Sequence, residues 1–187
     1  MTMSQLQGIE EEIVNLFKKG HDNEAMDRLY EAYGSYLAGV CLRYIPDDDQ
    51  RKDILQECLV KIFTQIDQFE YRGKGSLKAW MARIAVNESL SQLRKDKTRL
   101  LETQEERLPD LPDEEPETDD LTAEEIAQLL GQLPTGYRTV INLYAVEGKS
   151  HKEIAAILGI KPDTSASQLH RARNLLAKMV KEYKLTR

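Results

Sequence analysis

The run Leu108–Asp120, reading LPDLPDEEPETDD, constrains this chain more than any other feature. Pro109, Pro112 and Pro116 interrupt it, and each removes a backbone donor and blocks continuation of a helix. Residues 101–125 hold 1 Lys or Arg against 12 Asp and Glu, with too few apolar side chains to build a core. Residues 100–121 therefore read as an acidic, flexible linker. The rest must fold as two separate units, residues 1–99 and 122–187. A total of 187 residues suffices for two small domains. On composition alone, the linker is a solvated spacer.

Hydrophobic residues make up 41% of the chain, aromatic ones only 6%, and no alternating apolar-polar runs stand out. The expected class is all-α. No apolar run approaches the roughly 20 residues of a membrane span, and the amino terminus MTMSQLQGIEEEIVNLF is polar and acidic, unlike a secretory signal. The expectation is a cytoplasmic protein without membrane insertion. Cys41 and Cys58 sit among apolar neighbours in helical patterns and read as reduced core thiols. Neither a metal site nor a cofactor is expected. The net charge of −6 does not argue against nucleic acid as a partner, because it is unevenly spread. Residues 126–187 hold 10 Lys and Arg against 4 Asp and Glu, and phosphate affinity follows local charge.

The basic third contains two short helical patterns joined by a tight turn, SHKEIAAILGIKPDTSASQLHRAR. Ser150 with Glu153 three residues on is a capping box, and Gly159 is suited to the left-handed conformation that closes a helix. Pro162 fixes a turn, after which Asp163 or Thr164 can cap the next helix. In that helix Leu169, Ala172, Leu176 and Met179 recur at core spacing, while Ser167, His170, Arg171, Asn174 and Lys178 fall on the other side. Such a face suits phosphates and base edges in a major groove. For His170 the alternative is a partly buried helix position.

Before the linker, Ile13, Leu16 and Phe17 mark a first helix, and Ala25, Leu29, Tyr33, Tyr36, Leu37 and Val40 a second. After a break at Pro46–Asp49, Ile54, Leu55, Cys58, Leu59, Ile62, Phe63 and Ile66 form the strongest apolar stripe. Its opposite face, with Asp53, Gln56, Glu57, Lys61 and Gln65, reads from periodicity alone as solvated. The loop FEYRGKGS lacks a Walker ending, so nucleotide hydrolysis is not supported, but its aromatics and cations suit unpaired bases. Ser76 is expected to cap the following helix, on which Trp80, Arg83, Asn87 and Arg94 share one side and Met81, Ile84, Ala85 and Val86 pack.

DILQECLVKIF, F-x-YRGKG-SLKAWMARIAVNESLSQLRK, LPTGYRTVINLYAVEGKSHKEIAAILGI and T-x-x-SQLHRARNLL together resemble the extracytoplasmic-function group of bacterial sigma-70 factors. The resemblance spans roughly Glu24–Lys97 and Leu121–Lys181, in the family's order. It implies a non-enzymatic initiation factor that binds core RNA polymerase through the β′ coiled coil and the β flap, and directs it to promoter DNA. By position, Asp53, Gln56 and Glu57 would make the polymerase contact. Tyr71, Arg72, Lys74, Trp80 and Asn87 would capture or support an extruded −10 base, while Arg83, Arg94 and Lys95 hold phosphates. The helix from Thr164 would read the −35 duplex with Ser167, His170 and Arg171, and place Arg173, Asn174 or Lys178 at the backbone. Ala166 and Gln168 depart from the family's basic pattern there. The linker acids Glu105, Glu106, Asp110, Asp113, Glu114, Glu115 and Glu117 would enter a positive polymerase channel. An anti-sigma protein would be the regulator. The competing reading is a stand-alone helix-turn-helix regulator of duplex DNA, which leaves the Asp53–Arg94 block unused.

Overall fold

Apolar side chains recurring every three or four residues turn most of the chain into helix. Among the described residues there are eight α-helices and no strand. The computed structural model describes residues 3–95 and 116–187. The linker acids Glu105, Glu106, Asp110, Asp113, Glu114 and Glu115 lie outside the described residues; Glu117 lies within them and is exposed. The chain divides into two compact units, Met1–Ser91 and Gln92–Arg187.

In the first unit, α1 (Met3–Lys18) is followed by a turn at Gly20, whose φ of 76° is open to glycine without steric cost. The amides of Gly20 and His21 turn back to the carbonyls of Phe17 and Leu16, so two orphan acceptors are satisfied at once. Next come α2 (Asp22–Leu42) and α3 (Asp48–Gln65), the latter capped by Asp47, whose carboxylate accepts the Gln50 amide at 2.9 Å. A single 3-10 turn, Ile66–Gln68, leads through a loop to α4 (Ser76–Lys95). Helix α1 packs on α2, and α2 on α3. Ile13, Leu29, Leu37, Ile62, Leu77 and Met81 are fully or almost fully buried, each contributing about 1.5–3 kcal/mol of burial free energy before the entropy cost. Cys41 and Cys58 are free and buried on facing helices. The Cys58 thiol is pushed up by its hydrogen bond to Cys41 and by burial.

Three expectations for this unit need correction. Tyr36 is not core: it is 37% exposed, with the Lys78 ammonium 4.2 Å above its ring. Of the paired stripe on α3, Ile54, Cys58, Ile62 and Ile66 are buried, but Leu55 and Leu59 are only half-buried and Phe63 is exposed. The core covers one half of a wide apolar wheel and leaves the other half open. Ser76 does not cap α4 but is its first residue, and its hydroxyl donates to the Gly73 carbonyl at 2.6 Å.

The second unit holds α5 (Ala123–Gly131), α6 (Thr135–Ala145), α7 (His151–Leu158) and α8 (Pro162–Thr186). Thr122 and Glu125 form a capping box at α5, and the Tyr183 hydroxyl donates to the same Glu125 carboxylate at 2.8 Å. Lys184 pairs with Asp120 at 2.6 Å. Arg138, 4% exposed, closes the α5–α6 turn by donating to the carbonyls of Gly131 and Leu133 at 3.1 and 2.9 Å. Burial pushes its guanidinium down to about 10, which leaves it charged and these acceptors strongly paired. Helix α8 packs against α6 and α7. No helix among the described residues is long and apolar enough to cross a membrane.

Candidate nucleic-acid and partner interfaces

Helix α4 carries its polar groups on one side because Leu77, Met81, Ile84, Ala85 and Val86 are buried on the other. Arg83, Asn87, Arg94 and Lys95 are exposed, and Trp80 is half-buried. Arg94 and Lys95 fall in the last turn, where the helix dipole favours cations. The Trp80 ring rests on Phe69, with centroids 5.0 Å apart and planes tilted by 36°, which fixes its orientation. Beside this pair lies a cleft of about 390 Å³ lined by Gln68, Phe69, Glu70, Arg72, Ser76, Ala79, Trp80 and Arg83. Aromatic walls with cations at the rim suit a planar ring attached to a phosphate chain.

The loop before α4 is held from within. The Ser76 hydroxyl accepts the Arg72 amide at 3.2 Å while donating to Gly73, and the Arg72 guanidinium pairs with Glu70 at 3.1 Å in open solvent. Gly73 and Gly75 have φ of 98° and 83°. Lys74, between them, is exposed. Tyr71 is half-buried, its hydroxyl pushed up first by burial and then by the charges of Glu10 and Glu11. Of the expected −10 residues, Arg72, Trp80 and Arg83 line the cleft together, while Tyr71, Lys74, Asn87, Arg94 and Lys95 lie outside its lining.

A second candidate surface lies on α3. Asp53, Gln56 and Glu57 are exposed and line a cleft of about 500 Å³ with Val60 and Lys61. Val60 is 57% exposed and Phe63 45%, so this face is apolar at its centre with acids beside it. Periodicity missed Val60 and assigned Phe63 to the core. Lys61 is not merely solvated: its ammonium reaches Glu88 of α4 at 2.6 Å.

In the second unit, Ser150 and Glu153 cap α7 reciprocally, the Ser150 amide donating to Glu153 at 2.8 Å. That backbone donor, with the Ser150 hydroxyl, holds the Glu153 carboxyl below its ordinary range. Gly159 ends the helix at φ 69°. Helix α8 then starts at Pro162, pre-set for a first helical position, with no side-chain cap at Lys161. The expected cap by Asp163 or Thr164 does not form, because both already lie inside the helix. His170, Arg171 and Lys178 are exposed, Thr164 and Arg173 half-buried. Ser167 is exposed, but its hydroxyl donates to the Asp163 carbonyl at 2.8 Å. Asn174, expected at the surface, is 6% exposed and its amide nitrogen lies 3.3 Å from the His170 ring. Gln168 is likewise buried. Tyr144, itself exposed, stacks on His151 at 5.1 Å with the Arg173 guanidinium 5.7 Å from its ring, and the His151 ring lies 3.0 Å from the Ser165 hydroxyl. Sequence reading gave this stack no role, since its members are spread over three helices. Among the described residues no group of three or more His, Cys, Asp or Glu is placed to hold a metal.

Comparison with known proteins agrees with this two-part layout. Sigma-70 region 2 matches residues 29–99, and sigma-70 region 4 matches residues 123–176. The chain is 30% identical over 178 residues to the extracytoplasmic-function RNA polymerase sigma factor SigW of Bacillus subtilis, covering 88% of this chain and 93% of SigW. It is also 30% identical to the sigma-E factor of Haemophilus influenzae, covering 83% of this chain and 87% of that one. Among solved structures, the sigma factor RpoE of Bartonella quintana, co-crystallised with the anti-sigma factor NepR, aligns at 26% identity and a TM-score of 0.47, over 83% of this chain and 96% of its own. The α3 and α4 surfaces fall within the first matched region and the helix-turn-helix within the second, and the chain belongs to the extracytoplasmic-function group of sigma-70 RNA polymerase sigma factors.

Proposed function

We propose that this sigma factor docks on core RNA polymerase through α3, opens the −10 element with the Phe69–Ser76 loop and α4, and reads the −35 duplex with α8. The observation that carries the reading is the Trp80–Phe69 cleft, with Arg72 and Arg83 at its rim. Extruding a base costs a few kcal/mol, and stacking on an aromatic wall with backbone neutralisation offsets a cost of that size. Opening then draws on binding free energy, without nucleotide hydrolysis by this chain. The docking role of Asp53, Gln56 and Glu57 rests on their exposure around an open apolar centre at Val60. The β′ coiled coil is the partner for that face and the β flap for the second unit.

The −35 reading assigns His170 and Arg171 to the groove and Arg173 and Lys178 to the backbone. Thr164 borders the groove, and Ser167 takes part through its exposed hydroxyl oxygen. Asn174 acts by orienting His170. The chain works in the cytoplasm, where polymerase and promoters are, and an anti-sigma protein covering the α3 and α4 surfaces is the proposed regulator. A stand-alone duplex regulator would leave the region 2 match without use.

Run-off transcription with purified core polymerase on a genomic fragment library is the decisive experiment. Start sites should appear at defined positions only when this chain is added; their absence on every fragment rejects the reading. On a promoter so identified, Arg171→Ala should weaken −35 duplex binding by about 1–3 kcal/mol, with relaxed preference at one base pair. An equal loss on every duplex sequence would make Arg171 a phosphate contact.

A further inference from the structure

Glu10 lies on α1, ahead of residue 29 where the region 2 match begins, and it is 2% exposed. A buried carboxylate is tolerated only when its oxygens are well paired. One oxygen accepts the Gly75 amide at 2.7 Å, and the other accepts the Lys78 amide at 3.1 Å and the Tyr33 hydroxyl at 3.3 Å. The Gly75 and Lys78 amides are among the donors that the start of α4 leaves without an intrahelical acceptor. A side chain at the cap position normally takes such a donor. Here that position is Gly75, which has none, and the Ser76 hydroxyl is spent on Arg72 and Gly73.

The cap therefore arrives from a helix 65 residues away in sequence. It brings a negative charge to the positive end of the α4 dipole. It also ties down a turn that two glycines leave loose: Gly73 and Gly75 sit at φ of 98° and 83°, a region glycine enters and leaves freely. Tyr71, Arg72 and Lys74 flank these glycines, and Trp80 begins the next turn of the helix so capped.

We infer that Glu10 is a positioning residue for strand capture: from α1 it caps α4 and holds the Gly73–Gly75 turn in the conformation that presents Tyr71, Arg72 and Trp80. The inference rests on the proposed −10 role of that loop and helix.

The test uses the whole 187-residue chain with core polymerase on one promoter taken from the run-off screen. Glu10→Ala, the near-isosteric Glu10→Gln and Trp80→Ala are compared for core affinity, −35 duplex binding, melting temperature and permanganate reactivity of unpaired thymines. Glu10→Ala should lower open-complex formation about tenfold or more, with core and −35 affinities within about twofold of wild type. Glu10→Gln keeps one acceptor oxygen but turns an N–H₂ toward a donor, so its loss should be intermediate. Normal opening by both Glu10 variants while Trp80→Ala is defective would overturn the inference and leave the −10 reading standing. Normal opening by Trp80→Ala would remove the −10 reading and the inference with it. A loss of opening in step with core affinity would mean that Glu10 only supports folding, which also overturns it; if Glu10→Ala fails to fold, Glu10→Gln decides.

Discussion

Trp80→Ala should reduce promoter opening by about 5- to 150-fold, the rate equivalent of roughly 1–3 kcal/mol of base stacking on an aromatic face. The effect has two parts. The indole is the larger wall of the α4 cleft, and it also fixes Phe69, whose ring lies 5.0 Å away. Removing it takes away one stacking surface and loosens the other. Trp80→Phe keeps a flat π face and should retain most of the activity. Because Trp80 is only half-buried, the melting temperature should change little, and core affinity should stay within about twofold, well under the 1.4 kcal/mol of a tenfold change. Permanganate footprinting reads opening directly. Wild-type reactivity in the alanine variant would dismiss the cleft as the capture site.

The second large effect belongs to α3. Val60→Asp should weaken binding to core polymerase by about 100-fold or more, because a charge placed at the apolar centre of an interface loses its water without gaining a partner, at several kcal/mol. At 57% exposed, Val60 can accept the change without loss of fold. The same substitution at Ile62, two residues on and therefore on the opposite, fully buried face of α3, would unfold the unit instead. Fluorescence titration of core with labelled chain separates these outcomes when read beside circular dichroism. A folded Val60→Asp variant with native core affinity would move the docking face elsewhere.

What could be read from sequence was mostly what local physics decides. Ser150 with Glu153, Gly159, Pro162 and the acids at Asp47–Asp49 specify their ends and turns within a few residues, and the structure uses each to start or stop a helix. The polar side of α4 was visible for the same reason: its opposite stripe is apolar enough to fix the rotation. Where packing between distant segments decides, the pattern ran out. Leu55, Leu59 and Phe63 look as buried as Ile54, Cys58 and Ile62 on a wheel, and only the neighbouring helices determine which half is covered. Asn174 sits among polar positions, yet the packing of α8 against α6 and α7 buries it. Ser76 looks like a cap until Glu10, 65 residues before Gly75, takes over the helix end. No local signal marks that carboxylate, since Glu10, Glu11 and Glu12 read as one acidic run.

The ion pair between Lys61 and Glu88 has a mechanical meaning. It clips the candidate docking helix to the candidate DNA-reading helix through a single shared proton donor, held at 2.6 Å with Glu88 itself only 12% exposed. Any arriving carboxylate that takes hold of Lys61 strips Glu88 of its counter-charge, next door to Asn87. If α3 docks on polymerase and α4 holds the melted strand as proposed, a partner that takes Lys61 would change the charge beside Asn87, and the two grips would be coupled through this one ion pair.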